Sequence, residues 1–245
     1  MGSFRPPSNL SECDYLHRHV LKTRLGTTST NGSLIQRVKQ IVPFDNFSIS
    51  GLDLDGCRVG AGIYLSADLP ELLLREYRDS EYIKIDPLVR LVSPESPVGR
   101  WHDVSSADLA DRDAQPVEAM LKKFGVAPRT VVSLWSGEQI YGAVLLTRSK
   151  PFSEEELRIL ELFAEPLHSE AAAPVITLAN ERLNLTQGEL RCLTSAADGK
   201  SSQEIACDTR YTAETVNFYL KSAMKKLGAA NRTQAVVKAI RRKII

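Results

Sequence analysis

The chain has few features of a secreted, membrane-bound or metal-binding protein. Its four cysteines form no CxxC pair, so neither a zinc site nor a disulfide framework is predicted. No run of about 18 apolar residues occurs, and we therefore expect no membrane span. The first ten residues lack the apolar core of a signal peptide. We expect a cytoplasmic protein with no metal, no cofactor and no membrane partner.

The residue patterns of common enzymes are also missing. The sequence contains no nucleophile motif and no glycine-rich phosphate loop. No pair among the four histidines has metal-ligand spacing; they are His17, His19, His102 and His168. We predict no catalytic residue and no enzymatic activity.

The charge of the chain is unevenly distributed, although its net value is only +1. Residues 181–245 hold 12 Lys or Arg against 6 Asp or Glu, whereas the rest holds 19 against 24. A basic end favours a polyanionic partner, because each neutralised phosphate releases counterions. Double-stranded DNA is the partner that this distribution favours.

The hydrophobic pattern predicts an α+β protein with two domains. Residues 1–176 are expected to form an α-β-α sandwich with an antiparallel sheet, and residues 185–245 an all-α, four-helix helix-turn-helix domain. Residues 177–184 are the predicted linker. A long helix is predicted over 153–183, with Ser153 and Glu156 as its capping box, and Pro166 and Pro174 should kink or break it. The other expected elements are helices at 9–24, 31–42, 69–78 and 114–124, a hairpin turning at Asp55-Gly56, and a second hairpin over 129–149.

Helix-start signals recur in residues 185–245. Thr186 with Glu189 is a predicted capping box, Ser201 or Ser202 starts a short helix, and Thr212 caps the next one. In the first of these helices the predicted buried positions are Leu190, Leu193 and Ala197. In the helix after Thr212 they are Val216, Leu220, Ala223 and Leu227.

The opposite face of the helix after Thr212 carries residues that can read DNA. Asn217 and Lys221 are four apart and project together; Asn can pair with adenine, and Lys with guanine or a phosphate. A solvated helical face is the alternative interpretation. The predicted DNA-binding residues are Lys200, Ser202, Thr212, Glu214, Thr215, Asn217, Phe218, Lys221, Lys225, Arg232 and Thr233.

Residues 185–240 resemble the DNA-binding domain of LuxR-type transcription regulators. The resemblance implies a homodimer that pairs through the last helix, from residue 233 to about 243, and binds a palindromic operator. It rests on the motifs Leu185-Thr186, Gly199-Lys200-Ser201, Glu204-Ile205-Ala206, Thr215-Val216-Asn217-Phe218, Lys226-Leu227 and Asn231-Arg232-Thr233-Gln234-Ala235.

Two departures from this resemblance occur, one before the first Glu of the domain and one in the turn. Gly188 stands where members usually carry Arg, and Thr209-Arg210-Tyr211-Thr212 replaces the usual Leu-Gly-Ile-Ser. Loss of a glycine and an apolar residue is expected to change the angle between the two helices, or to give Arg210 a phosphate contact.

Tyr77 is followed by Asp86 nine residues later, and Asp86 by Trp101 fifteen residues later. With these spacings, residues 69–101 resemble the acyl-homoserine-lactone binding domain of quorum-sensing LuxR-type proteins. The resemblance implies that Asp86 accepts from the ligand amide, Tyr77 donates to the acyl carbonyl and Trp101 packs over the lactone. The predicted ligand-binding residues are Tyr77, Asp86, Trp101, Leu73, Tyr82 and Arg129, of which Leu73 replaces a family Trp and Arg129 a family Gly.

Three functional hypotheses follow. The first is a homodimeric transcription regulator controlled by an acyl-homoserine lactone. The second is a regulator of the same fold that needs no ligand, because side chains fill the pocket. The long cation Arg129 could intrude on the pocket or point outward. The third is an anti-activator that forms heterodimers with a related regulator. From the residues alone, Tyr77 and Trp101 could equally be core aromatics, with Asp86 capping a turn before Pro87.

Overall fold

A computed structural model describes residues 33–52, 63–105, 114–126 and 128–245. The chain divides into two compact units, Met1–Ala173 and Pro174–Ile245, called unit 1 and unit 2 below. The predicted helix at 9–24 and the predicted turn at Asp55-Gly56 lie outside the described residues.

Unit 1 contains a five-stranded antiparallel sheet with the order β2-β1-β5-β4-β3. The predicted second hairpin is confirmed as β4 and β5, and Gly137 adopts a left-handed φ of 58° in its turn. The strands are β1 Asn46–Ser50, β2 Tyr64–Ala67, β3 Val98–Arg100, β4 Arg129–Ser136 and β5 Gln139–Thr147.

Helices cover both faces of this sheet, which confirms the predicted sandwich. Successive strand residues point to opposite faces. On one face of β5, Leu145 packs against a cluster of apolar residues from α2 and α4. On the other face, Gly142 lies so close to His168 of α5 that a Cβ there would be 2.6 Å from the ring. The helices of this unit are α1 Leu34–Ile41, α2 Glu71–Asp79, α3 Pro87–Arg90, α4 Gln115–Lys123 and, of α5 Glu154–Leu183, residues 154–173.

Helix α5 differs from its prediction in one respect. Its start is as expected, because Ser153 and Glu156 form the predicted capping box. Its bounds, however, include Pro166 and Pro174, so neither proline breaks it. The helix also covers residues 177–183 of the predicted linker, as the helix predicted over 153–183 implied. The reason is that apolar burial continues at helical spacing past the prolines, at Leu160, Ala164 and Leu167 and then at Val175 and Ala179.

Unit 2 has the four predicted helices of a helix-turn-helix domain. Each begins with a side-chain cap: Thr186, Ser201, Thr212 and Asn231 accept from the backbone N–H three residues on. The predicted capping box at Thr186 is confirmed, and a second one forms between Ser201 and Glu204. The helices are α6 Gln187–Ala197, α7 Ser202–Thr209, α8 Ala213–Lys226 and α9 Arg232–Arg241.

The buried face of α6 differs from the predicted one. Leu193 is buried as expected, but Leu190 is half-buried and Ala197 is exposed. The buried positions are Glu189, Cys192, Leu193 and Ala196. The face is rotated because the Glu189 carboxylate points inward, where it accepts hydrogen bonds from α8. The predicted stripe of α8 is confirmed, since Val216, Leu220, Ala223 and Leu227 are all buried.

The turn between α7 and α8 accommodates both of its unusual residues. Arg210 takes the left-handed conformation, with a φ of 62°, that a glycine would adopt more readily. Tyr211 packs against the core of unit 2 and meets Tyr219 edge-on, with ring centroids 5.3 Å apart. The turn therefore keeps both a left-handed residue and an apolar plug, supplied by different residue types from those expected.

The other departure, Gly188, is linked to Tyr211 through Tyr219. The Tyr219 ring lies over Gly188, where a Cβ would be 2.7 Å from its Cζ atom. Because Tyr219 also contacts Tyr211, the three residues form one packed column from α6 through α8 to the turn.

We expect Gly188→Ala to destabilise unit 2 by about 1–3 kcal/mol, because the methyl group overpacks against Tyr219. Gly→Ala in a helix ordinarily gains up to about 1 kcal/mol. Urea unfolding of the full chain measures the change. The same substitution in a Tyr219→Ala background should be neutral or stabilising. A stabilising effect with Tyr219 present would show that this ring does not constrain Gly188.

Candidate functional sites

The first candidate site lies at one edge of the sheet in unit 1, where β4 begins. Strands β3 and β4 pair with Arg100 opposite Thr130. Trp101 directly follows Arg100 and Arg129 directly precedes Thr130, so these two residues also come together. The Arg129 guanidinium lies over the Trp101 ring, 4.7 Å from its centroid. Residue 129 therefore points into the site.

Asp86 is the polar centre of this site. It caps α3, and its Oδ1 accepts from the Leu88 backbone N–H at 3.0 Å. Tyr77 of α2 donates its hydroxyl to Oδ2 at 2.8 Å. Arg129 donates from both terminal nitrogens, to Oδ2 at 2.6 Å and to Oδ1 at 3.0 Å. A carboxylate offers about four lone-pair positions, so Asp86 has its full set of donors.

Burial makes this ion pair energetically important. Asp86 and Arg129 are 1% and 4% exposed. Burial lowers the pKa of Arg129, but the charge and hydrogen bonds of Asp86 outweigh burial and raise it. Burial, followed by the Asp86 charge, raises the pKa of Tyr77 well above its usual value, so that the phenol stays a donor. The pair is stable only while both members are present.

The other predicted ligand-binding residues surround the ion pair. Tyr77 and Tyr82 meet edge-on, with centroids 6.1 Å apart. Leu73 is buried in the apolar cluster of α2 and α4, against which Trp101 and both tyrosines pack. The structure thus brings all six predicted residues into one region. Their contact with a ligand stays a prediction.

Arg129 is the residue whose position the sequence left open. A long cation here could point outward or enter the site, and it enters because a bidentate carboxylate and an aromatic face are both available. Tyr64 on β2 was not predicted as a site residue. Burial raises the pKa of its phenol, which the charges of Arg129 and Asp86 also influence. Its place in a β-strand pattern gave no signal of this proximity.

The second candidate site is the outer face of α8 in unit 2. Glu214, Asn217, Phe218, Lys221 and Lys225 are exposed, and their spacing places them on one side of the helix. Phe218 is 67% exposed, which is unusual for a large apolar side chain. Thymine methyl groups can contact such a side chain in a major groove. This face has the composition of a DNA-reading surface.

Several of the other predicted DNA-binding residues have partners within unit 2. Lys200 forms an ion pair with Asp208 at 2.7 Å. Ser202 donates to the Asn217 side-chain oxygen at 2.7 Å, which leaves the Asn217 NH₂ group directed elsewhere. Arg232 donates to the Lys200 backbone carbonyl. A role for these residues at phosphates or bases stays a prediction.

The caps of α8 and α9 hold the remaining predicted residues. The Thr212 hydroxyl accepts from the Thr215 backbone N–H at 3.1 Å and lies 2.9 Å from the Thr215 hydroxyl. Thr233 is exposed in the first turn of α9. Exposed hydroxyls at helix starts are typical phosphate donors, so both stay candidates for backbone contacts.

Glu189 fixes the position of α8 relative to α6. Its carboxylate accepts from Ser222 at 2.6 Å, from Lys226 at 2.7 Å and from the Thr186 backbone N–H at 2.7 Å. Burial raises the pKa of Glu189, but the bonds from Lys226, Ser222 and Thr186 outweigh burial and lower it. The sequence predicted only the capping role of Glu189, because its partners on α8 lie more than 30 residues away.

Family comparisons match both units. Residues 29–171 match the autoinducer binding domain, and residues 183–239 match the bacterial regulatory proteins of the luxR family. The chain belongs to the LuxR family. It is a DNA-binding transcription regulator with an autoinducer-binding domain, as the sequence predicted.

Relatives and solved structures agree with this assignment. The transcriptional activator SolR of Ralstonia solanacearum is 30% identical over 77% of this chain and 85% of its own. VanR of Vibrio anguillarum is 26% identical over 79% and 82%. SdiA in complex with octanoyl-rac-glycerol matches in fold with a TM-score of 0.52 at 19% identity, over 96% of this chain and 97% of that one.

None of the helices in residues 33–52, 63–105, 114–126 and 128–245 is long and apolar enough to cross a bilayer. Within the same ranges, no cluster of His, Cys, Asp and Glu could hold a metal ion.

We expect Asp86→Asn to destabilise unit 1 by about 3–5 kcal/mol, because Arg129 would remain buried without its counter-charge. Urea unfolding followed by tryptophan fluorescence measures this loss. The double variant with Arg129→Met should recover most of the stability, since neither buried charge remains.

Glu81→Gln is the matched control, because the Glu81–Lys84 pair is exposed and should contribute at most about 1 kcal/mol. A loss for Asp86→Asn no larger than that of the control would show that the buried pair does not hold unit 1 together.

Proposed function

We propose that this LuxR-type protein binds a palindromic operator as a homodimer and does so without an acyl-homoserine lactone. The observation that carries the proposal is the full set of donors on Asp86. In the family that the sequence resembles, this carboxylate accepts from the ligand amide. Here Arg129 supplies two donors to it from within the protein.

Arg129 can replace the stabilising contact that a ligand would make with Asp86. A ligand stabilises a folded protein by binding it in preference to the unfolded chain. The buried pair, with Trp101 stacked on the guanidinium, supplies fixed internal contacts at the same place. Unit 1 is therefore expected to fold without a diffusible signal, and DNA binding is expected not to wait for one.

The DNA-binding part of the proposal rests on the exposed face of α8. In a homodimer two such helices would lie about 34 Å apart, one turn of DNA, so that each enters a half-site of a palindrome. The exposed apolar side chains Val237 and Ile240 on α9 support pairing with a second copy. Because it acts on the chromosome, such a regulator would work in the cytoplasm. Its relatives SolR and VanR are named transcriptional activators, which favours activation as its role.

Control by an acyl-homoserine lactone is the second candidate function. It is favoured by the match of residues 29–171 to the autoinducer binding domain and by the positions of Tyr77, Asp86 and Trp101. In this mechanism Arg129 would have to leave Asp86 before the ligand amide could bind. The ion pair would then be a competitor of the ligand.

Selection of DNA from a random-sequence pool tests the first function. Purified full-length protein prepared without lactone should enrich a two-fold symmetric motif whose half-sites are centred about 10 base pairs apart. Addition of acyl-homoserine lactones of several chain lengths should leave both motif and affinity unchanged. Enrichment that occurs only with lactone would establish the second candidate instead.

We expect Lys221→Ala to weaken binding to the selected motif more than binding to random DNA, because a base contact adds about 1–3 kcal/mol of discrimination. Fluorescence anisotropy measures both affinities. Lys122→Ala, on the exposed surface of α4 in unit 1, is the control and should change neither. Equal losses on both DNAs would make Lys221 a phosphate contact only.

A further inference from the structure

Arg129 retains donors that Asp86 does not use. A guanidinium carries five N–H groups in one plane, and the bonds to Asp86 involve only its two terminal nitrogens. The Nε atom is buried, yet among the described residues no acceptor lies within hydrogen-bonding distance of it. A buried N–H without an acceptor is costly, so this atom favours an incoming oxygen.

The site consequently offers a ligand a hydrogen-bond donor, whereas the family resemblance implies that it offers an acceptor, the carboxylate of Asp86. The acceptor, Asp86, is already saturated by Tyr77, Leu88 and Arg129. The unused capacity is on the donor side, at Arg129 Nε. A ligand that presents an N–H would find no acceptor at Asp86, whereas a ligand that presents oxygens would find a donor.

The surroundings of the ion pair suit an amphiphilic ligand. Asp86 and Arg129 are buried, but Tyr64, Tyr77, Tyr82 and Trp101 around them are only half-buried. These aromatic side chains pack against the apolar cluster that α2 and α4 form with the sheet. An acyl chain could extend along this apolar surface while its polar end meets Arg129.

We propose that this site binds neutral acyl compounds whose polar end offers acceptor oxygens and no N–H, such as acyl esters. The inference rests on the proposed function, because it assumes that Arg129 stays on Asp86. The acyl-homoserine lactones fall outside this ligand class, because each carries an amide N–H.

Two matched probes measure the effect of the single N–H group on binding affinity. One probe is N-octanoyl-homoserine lactone. The other is the same molecule with the amide N–H replaced by an ester oxygen, so the ring, the carbonyls and the chain are unchanged. Only the amide must bury an N–H against a saturated carboxylate. We expect the ester to bind at least about tenfold more tightly to the full-length protein, measured by calorimetry.

Arg129→Gly is expected to reverse this preference. Without the guanidinium, the Asp86 carboxylate has free lone pairs for the amide N–H, and the ester loses its donor. Arg129→Met, which preserves more of the side-chain volume, is the second variant and should also favour the amide. Arg75→Met removes an exposed arginine of α2 and should leave both affinities unchanged.

The outcomes separate this inference from the proposed function. Equal or tighter binding of the amide to the wild-type protein would overturn the inference. It would also be overturned if neither probe, nor their hexanoyl, decanoyl and dodecanoyl counterparts, bound to protein that still selects its DNA motif. In that second case the lactone-independent function would stand. A requirement for the amide lactone in DNA binding would overturn the proposed function itself.

Discussion

The buried ion pair between Asp86 and Arg129 is the constraint on which unit 1 depends. Two charges removed from water must satisfy one another, and the loss of either partner leaves the other uncompensated. Their bonds join the start of β4 to the start of α3, and Tyr77 extends the network to α2. The contacts that position the polar residues of the site also connect the elements around it.

The same network is the basis of the ligand preference that we propose. A carboxylate with free lone pairs selects ligands that donate, whereas a carboxylate occupied by a guanidinium does not. One residue, Arg129, therefore changes the expected ligand without altering Tyr77, Asp86 or Trp101. Presence of a family's binding residues is thus insufficient to infer the family's ligand when a neighbouring residue can pair with them.

Unit 2 shows departures of a different kind, which compensate for one another. Gly188 makes room for Tyr219, Tyr219 contacts Tyr211, and Tyr211 fills the place of an apolar turn residue. Arg210 adopts the left-handed conformation of the glycine that it replaces. The outer face of α8 remains exposed, so these changes in the interior leave the predicted DNA-reading surface accessible.

The elements of the fold were predictable because their signals are local. Caps at Thr186 and Thr212, the hairpin of β4 and β5, and the apolar stripe of α8 depend on residues a few positions apart. The inward rotation of Glu189 was missed, since its partners Ser222 and Lys226 lie on another helix. The long helix over 153–183 was predicted, but its unbroken passage through Pro166 and Pro174 was not, because two prolines weigh heavily in a local pattern.

The site could be predicted only in part for the same reason. The spacing of Tyr77, Asp86 and Trp101 was enough to predict that they lie in one region, and in the structure they do. The direction of Arg129 depends on the pairing of β3 with β4, which sets Trp101 opposite it. The register between strands from distant segments cannot be predicted from any one local stretch of sequence.

The most direct measurement of the central claim is the melting temperature of unit 1 with graded acyl-homoserine lactones, in wild-type protein and in Arg129→Gly. A ligand at about one hundred times its dissociation constant adds about 2.7 kcal/mol of stability. The ion-pair mechanism predicts a rise for Arg129→Gly and none for the wild type at the same concentration. A chain-length-dependent rise in the wild type would contradict it, because Asp86 would then be open to the ligand amide.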